Sequence, residues 1–489
     1  RRAVRRKGID MSSSLSRRNF VAGAALGSAA LATTASVALA DAPADSDVAW
    51  DASYDVVVLG IGFAGMVAAM SAADAGATVL LAEKLPDGEA GGNSRVCGQM
   101  FFYGNGDVDA TKAYLTDLCG SRTLPDDVLD LYAEGYANIA EDVAYFANLD
   151  QAEFLDVATM SPMLGKMSPE YPELSGAVTS QLWSTHMGVS DSYLYQSVRA
   201  NLEDNYAGKV EVWFESPATK LVQDPETKAI LGVEIDSAGT VKKFQAKGGV
   251  VLATGGYSTN TEMMEALQPE IVDGRILCTS GSTDDGSGIK AGMWLGARKD
   301  PIGTSILFNR CCVMPDEVAG NGVVGRWFWF GEQPFLKVNL NGERFCNESG
   351  PYDYMLHSTW SQPYHTYCDI WDSDAKAKAE QLNEVGCCRL FPFDNGAKNN
   401  IPFDVVWNNM NAKLIEDGYI QQADTIEELA EKLNIPAENL VATVEKYNGY
   451  CDEGADPDYY KEAYRLTKLD TPPFYGVRTG AWHLATFDG

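Results

Sequence analysis

Residues 54–83 read YDVVVLGIGFAGMVAAMSAADAGATVLLAE, and the order of residue types in this stretch decides the fold. Val56-Val57-Val58-Leu59 is a β-branched apolar run of the kind buried in a parallel sheet. Gly60-x-Gly62-x-x-Gly65 follows, then an alanine-rich helix and a second apolar strand ending at Glu83. Each glycine has a separate physical task. Gly60 makes the tight turn, Gly62 lets backbone approach a pyrophosphate, and Gly65 lets helix and strand pack closely. The pyrophosphate then sits at a helix N-terminus, where unpaired N–H groups and the helix dipole favour anions. Glu83 lies about 20 residues beyond the glycines, where a carboxylate can bind ribose hydroxyls. Phe63 and Ala64, inside the turn, and Lys84, next to the acid, are assigned to the same dinucleotide site.

The next segments narrow the dinucleotide. Gly91-Gly92-Asn93-Ser94 with Gly98, Ala218-Thr219-Lys220-Leu221, and GVVLATGGYSTN with Ala253-Thr254-Gly255 occur in the order found in flavoproteins. Asp285-Gly286, Val338-Asn339, Gly342-Glu343-Arg344-Phe345, Asn347-Glu348 and the late AENLVATVEKYN complete the pattern. From residue 54 to 489 the chain resembles the FAD-dependent fumarate reductase and succinate dehydrogenase flavoprotein family, in its soluble single-chain branch. The resemblance implies FAD as cofactor, with Gly92, Asn93, Ser94, Gly98, Ala218, Ala253, Thr254, Gly255 and Asp285 added to its site. It implies an α/β fold, a Rossmann-like (two-dinucleotide-binding) flavin domain with an inserted α+β capping domain. The expected boundaries are an export region at 1–50, the first part of the FAD-binding domain at 51–298, the cap at 299–480, and the start of a returning flavin-domain segment at 481–489. The family uses a further strand and glycine-rich helix start beyond that point, so an incomplete flavin cradle is expected.

Composition limits the partners. With 38 basic and 68 acidic residues the net charge is −30, which argues against nucleic acid and anionic membrane surfaces. Ser16-Arg17-Arg18-Asn19-Phe20, a small apolar stretch and Ala38-Leu39-Ala40 before Asp41 predict export by the twin-arginine route, to an extracytoplasmic, cell-envelope location. A single membrane anchor is the alternative, but the glycines and alanines make that stretch weakly hydrophobic. Met11 is well placed to be the true start, so an extended or partial reading frame is expected.

The cap departs from the family. Fumarate reductases grip a small dicarboxylate with histidines, a threonine and arginines, and one arginine delivers the proton. The first substrate histidine of that pattern falls here at Leu307, and the threonine–glutamate pair falls at Trp327 and Phe328. The proton-donating arginine falls at Tyr352, and the late histidine pair at Leu484 and Ala485. His483 sits one residue before that pair, where an extended strand turns it to the opposite face unless a local shift restores it to the substrate side, and it is kept among the substrate-binding candidates. A dianion entering so apolar a pocket would lose hydration without a cationic partner. Fumarate is therefore disfavoured, and GRWFWFGEQPF, residues 325–335, is expected to line the cap side of a cavity for a bulky, mostly neutral substrate. Ordinary cap core or a subunit interface is the alternative for these rings.

The function expected is reduction of a C=C bond conjugated to a carbonyl, with Tyr352 as proton donor and Tyr354, Arg326 or Arg344 as alternatives. Two readings stand beside it: ketosteroid-type dehydrogenation in the reverse direction, and a flavin fold that only binds a ligand. A narrower resemblance to cardenolide reductases fits a bulky lactone but is not carried residue by residue. Electrons would come from an external donor, such as a membrane-linked cytochrome. Ten cysteines without C-x-x-C or C-x-x-C-H exclude covalent c-type haem. Buried thiols or disulfides, or else an iron–sulfur cluster, account for them. Four scattered histidines argue against zinc.

Overall fold

The computed structural model describes residues 48–96, 100–120, 124–150, 174–177, 181–184, 193–277, 283–299, 305–350, 352–384 and 407–487. The apolar run becomes β1 (Ala52–Leu59), followed by α1 (Phe63–Asp74) and β2 (Val79–Ala82). After α2 (Gly92–Val96) come β3 (Met100–Tyr103), α3 (Val108–Cys119), α4 (Asp126–Ala147) and β4 (Gln181–Ser184), with β3 and β4 paired antiparallel. Helix α5 (Tyr193–Tyr206) leads to β5 (Val210–Trp213), β6 (Ala218–Gln223), β7 (Ile230–Ser237) and β8 (Thr240–Leu252). Six of these strands form one sheet in the order β5-β2-β1-β8-β7-β6, parallel from β5 to β8 and antiparallel beyond.

The second half of β1, Val56–Leu59, reads as unbroken apolar sequence because both of its faces are covered. Val56 and Val58 pack with Met66, Ala69, Met70 and Ala73 of α1 and with Val198 and Leu202 of α5. Val57 and Leu59 pack with Val233, Ile235, Phe244 and Ala246 on the other face. Each such valine or leucine contributes roughly 1.5–3 kcal/mol by leaving water. The alanines of α1 keep the helix close to the sheet, so the β1–α1 turn opens at the C-terminal edge of the strands.

After α6 (Thr261–Leu267), α7 (Pro269–Gly274) and α8 (Ser287–Trp294), a second body begins. Its strands are β9 (Ser305–Phe308), β10 (Cys311–Val313), β11 (Arg326–Trp327), β12 (Leu336–Asn339), β13 (Thr366–Asp372), β14 (Ile420–Ala423), β15 (Phe474–Gly480) and β16 (Trp482–Phe487). They form a sheet β11-β10-β15-β13-β12, with β14 also on β15, and a separate β16–β9 ribbon. Its helices are α9 (Tyr352–Ser358), α10 (Ala375–Glu384), α11 (Ala412–Glu416), α12 (Ile426–Lys432) and α13 (Ala437–Glu453). One sheet face carries Phe328, Phe330, Phe335, Trp371 and Tyr475, and the other packs on Leu429, Leu433, Leu440 and Val444.

The aromatic run is thus corrected in part. Phe328 and Phe330 are fully buried cap core, stacked or edge-packed on Trp371, whereas Trp327, at 38% exposure, faces outward. β11 ends at Trp327, and the short 3-10 turn Trp329–Glu332 that follows carries Phe330 into the core beside Phe328, so the rings do not all line one cavity.

Candidate functional site

At the β1–α1 turn, Gly60 has φ +101°, and a Cβ there would lie 2.4 Å from the carbonyl oxygen of Ala253. A Cβ on Gly65 would lie 1.8 Å from the carbonyl oxygen of Gly60. Both glycines are required by the fold itself. Gly62 differs, because its Cβ would meet nothing nearer than Ser94 Oγ at 3.2 Å, in the gap between the starts of α1 and α2. Helix α1 has no side-chain cap at Gly62, and the Phe63 N–H donates to Ser94 Oγ at 2.9 Å. Ala64 is exposed beside it. Small residues and helix-start N–H groups therefore converge on one cradle.

Glu83 is buried, and its two carboxylate oxygens accept from the N–H of Ile61 at 3.1 Å and of Leu85 at 2.9 Å. These bonds fix the carboxylate and leave further lone pairs for hydroxyl donors. Lys84 Nζ donates to the carbonyl of Thr283 at 2.7 Å and pairs with Asp285 at 3.0 Å, tying the loop after β2 to the loop before α8. Burial pushes the Asp285 carboxyl up, but Ser287 and Lys84 outweigh it and hold the carboxyl below its usual range. The Ala253 N–H donates to the Leu59 carbonyl, which lays Ala253-Thr254-Gly255 directly over the glycine turn. Gly92, Asn93 and Ser94 open α2, and Ala218 starts the edge strand β6. Gly98 lies outside the described residues.

Two supports were not foreseen from the sequence. Tyr195 of α5 packs edge-on against Phe63 at 6.1 Å, and its hydroxyl donates to the Ala90 carbonyl at 3.3 Å. Buried Asp284 accepts from the N–H and the hydroxyl of Ser258, anchoring the chain after β8. Neither contact has a local sequence signature. The uncapped helix start, the gap that a Gly62 side chain would fill and the oriented Glu83 carboxylate together fit the pyrophosphate and ribose of FAD.

The substrate-side residues are placed as follows. Leu307 is fully buried among Tyr257, Met264, Leu356 and Ala481, so it is core and not an open pocket wall. Its register partner in the ribbon is His483, and Leu484 pairs with Ile306. Ala485 is in the same strand, and the side chains of all three β16 residues lie outside the description. Tyr352 is the first residue of α9, which packs on β9, and its side chain is likewise outside the description. Trp327 meets Trp482 edge-on at 4.9 Å, next to that ribbon. Arg326 is exposed, 6.0 Å from the Tyr419 ring.

Arg344 does not join them. Its guanidinium bonds Glu348 at 2.7 and 2.8 Å and Asp456 at 2.8 and 3.1 Å, between the rings of Tyr447 and Tyr459. Burial opposes its charge, yet the two carboxylates push its pKa upward, so it is a structural cation and a poor proton donor. Among the described residues no disulfide forms, and no three His, Cys, Asp or Glu side chains gather to hold a metal. Cys387 and Cys388 lie outside those residues. No helix among the described residues is long and apolar enough to cross a membrane.

A Rossmann-like sheet with this cradle, followed by a second sheet, defines a FAD-dependent oxidoreductase. The chain belongs to the FAD binding domain family, whose model matches residues 55–489. It is 27% identical to vinyl phenol reductase of Lactiplantibacillus plantarum, over 89% of this chain and 84% of that one. It is 25% identical to urocanate reductase of Eggerthella lenta over 86% of this chain, and spans only 63% of that longer protein. The fold matches 3-ketosteroid-Δ4-(5α)-dehydrogenase from Rhodococcus jostii with TM-score 0.62 at 20% identity, covering 90% and 86% of the two chains. It matches the open conformation of a flavocytochrome c3 fumarate reductase with TM-score 0.50 at 20% identity, covering 89% and 68%. The expected fumarate-reductase-like fold and its FAD domain are thus found.

Proposed function

We propose that the chain, loaded with FAD, reduces a C=C bond conjugated to a carbonyl in a bulky, mostly neutral molecule. The observation that carries this reading is the exposed ring of Trp327 set edge-on against Trp482 beside the β9–β16 ribbon. It offers flat apolar contact area where a dicarboxylate enzyme needs cationic grips. Vinyl phenol reductase and urocanate reductase, by their names reductases of ring-bearing unsaturated molecules, support the C=C reduction itself, while the carbonyl and the lack of charge rest on the apolar cap.

When bound, the flavin supplies hydride to one carbon of the double bond. The chain's own tasks are to seat the dinucleotide on Gly62, Ser94 and Glu83, to press the substrate against Trp327, and to protonate the other carbon. Tyr352 is the proposed donor, and exposed Arg326 is the alternative. Export by the twin-arginine route and an external electron donor belong to the same proposal, supported by the Arg17-Arg18 segment.

The test is anaerobic. Reduced, FAD-loaded protein is mixed in turn with 4-androstene-3,17-dione, 4-vinylphenol, urocanate and fumarate, and flavin reoxidation is followed by absorbance. Reoxidation by the neutral enone 4-androstene-3,17-dione and not by millimolar fumarate is expected, whereas efficient turnover of fumarate would overturn the substrate class, and turnover of 4-vinylphenol alone would remove the carbonyl from it. Oxidised protein that is instead reduced by the saturated steroid alone would reverse the direction. A flavin that no compound reoxidises would leave a ligand-binding protein.

A further inference from the structure

We infer that Tyr195 and Arg199, one turn apart on α5, form a clasp that holds the loop from Glu83 to Ser94 along the adenosine half of FAD and so selects FAD over FMN. The loop starts at the carboxylate assigned to the ribose and ends at the serine beside the pyrophosphate turn. Its course therefore follows the part of the cofactor that FMN lacks. Pro86, Asp87, Gly88 and Glu89 are exposed, and the loop closes on itself through one 3-10 turn, Asp87–Glu89. Helix α5 supplies the rest of its hold.

Tyr195 grips the end of the loop. It is buried, and its hydroxyl donates to the Ala90 carbonyl at 3.3 Å. Its ring lies against the backbone of Gly91, where φ is +112° and a Cβ would come within 2.4 Å of the hydroxyl-bearing ring carbon. The same ring meets Phe63, the first residue of α1, edge-on at 6.1 Å. One side chain thus touches both the loop and the start of the helix that takes the pyrophosphate.

Arg199 grips the middle. Its Nη2 lies 2.8 Å from Asp87 Oδ1, its Nε donates to Glu203 at 2.6 Å, and its guanidinium carbon stands 4.8 Å from the centre of the Phe214 ring. The Arg199 side chain is 13% exposed and that of Asp87 is 69% exposed. Glu203 and Phe214 therefore orient the arginine before the loop reaches it. The guanidinium also bonds the Tyr195 hydroxyl, which joins the two grips into one. Arg95, just past Ser94, braces the turn from its other end by donating to the Gly88 carbonyl at 2.6 Å.

A partly exposed ion pair contributes little to folding. What the clasp changes is the order of the loop before the cofactor arrives, and a loop already fixed in its bound form costs less to bind. The benefit is confined to ligands that carry the adenosine half.

The test titrates apoprotein of the wild type, Asp87→Asn, Asp87→Glu, Tyr195→Phe and Arg199→Met with FAD and with FMN, followed by flavin fluorescence, and with ADP as competitor against FAD. Asp87→Asn, Tyr195→Phe and Arg199→Met should each weaken FAD and ADP about fivefold and leave FMN unchanged. Asp87→Glu, which keeps the carboxylate, should bind FAD nearly as the wild type does. Urea midpoints of the apoproteins should stay close to wild type. Equal weakening for FAD and FMN, or ADP affinity unchanged in Asp87→Asn and Tyr195→Phe, would overturn the clasp and leave these residues as ordinary packing. If Arg199→Met fails to fold, exposed Asp87 still decides, because its change to Asn disturbs no core.

Discussion

Lys84 Nζ lies 3.0 Å from Asp285 Oδ2, joining two loops that are about 200 residues apart in the chain, on either side of the dinucleotide cradle. The side chains are 30% and 47% exposed, so the pair is screened and adds at most about 1 kcal/mol to folding. Its value is positional, because it holds the segment after Glu83 against the start of α8. Lys84→Met should therefore leave the denaturant midpoint nearly unchanged and weaken FAD binding, measured by flavin fluorescence on titrating apoprotein. A large stability loss with normal flavin affinity would reverse that assignment.

Two glycines of the first turn, Gly65 and Gly62, should separate by phenotype. A side chain on Gly65 runs into backbone at 1.8 Å, so Gly65→Ala should destabilise the fold whether or not flavin is present. Gly62 meets only the Ser94 hydroxyl, at 3.2 Å, so Gly62→Val should fold and lose its flavin. Circular dichroism and bound-flavin absorbance of the two variants give the comparison. A folded, yellow Gly62→Val protein would remove the pyrophosphate from this turn.

Arg344 gives a stability prediction with a pH sign. Removing it by Arg344→Met takes from buried Asp456 its cationic partner and leaves Glu348 with Lys461 alone, at a cost of about 3–5 kcal/mol. Burial raises both carboxyls, but cationic partners outweigh it, Lys461 and Arg344 for Glu348 and Arg344 for Asp456, and hold both below the usual range. Their stabilisation is thus fully present above the unfolded carboxylate pKa of about 4 and is lost as pH falls through the lower folded values. Urea unfolding should show wild type and variant far apart at pH 7 and converging in acid. A gap that stays constant with pH would mean that Arg344 contributes packing and not charge.

How much of this was legible follows from how local each signal is. Gly60, Gly62, Gly65 and Glu83 could be read because a tight turn, a close approach and a strand-end carboxylate are fixed by a few neighbouring residues. Asp285 could be read only through family resemblance, and its partner Lys84 through adjacency to Glu83. Tyr195 and the Asp284–Ser258 anchor are long-range contacts without spacing rules. The Arg199–Asp87 pair is likewise long-range, its residues 112 apart in the chain. Arg344 was misjudged because a charged residue in a motif looks catalytic until its carboxylate partners, one of them at position 456, are in view.

The last prediction uses adjacent residues with opposite surroundings. Trp327 is 38% exposed and touches Trp482, whereas Phe328 is fully buried against Trp371. If Trp327 supplies only contact area to a bulky substrate, Trp327→Ala should raise KM about tenfold or more, with flavin content and unfolding midpoint close to wild type. Phe328→Ala removes a core ring and should cost about 3–5 kcal/mol, with KM unchanged in whatever fraction remains folded. Denaturant unfolding and steady-state reoxidation by 4-androstene-3,17-dione, run on both variants, distinguish the two roles. A Trp327→Ala enzyme with normal KM would place the substrate away from β11 and return the ring to an ordinary surface contact. A Phe328→Ala enzyme that is stable but binds poorly would mean that the cap core opens to admit the substrate.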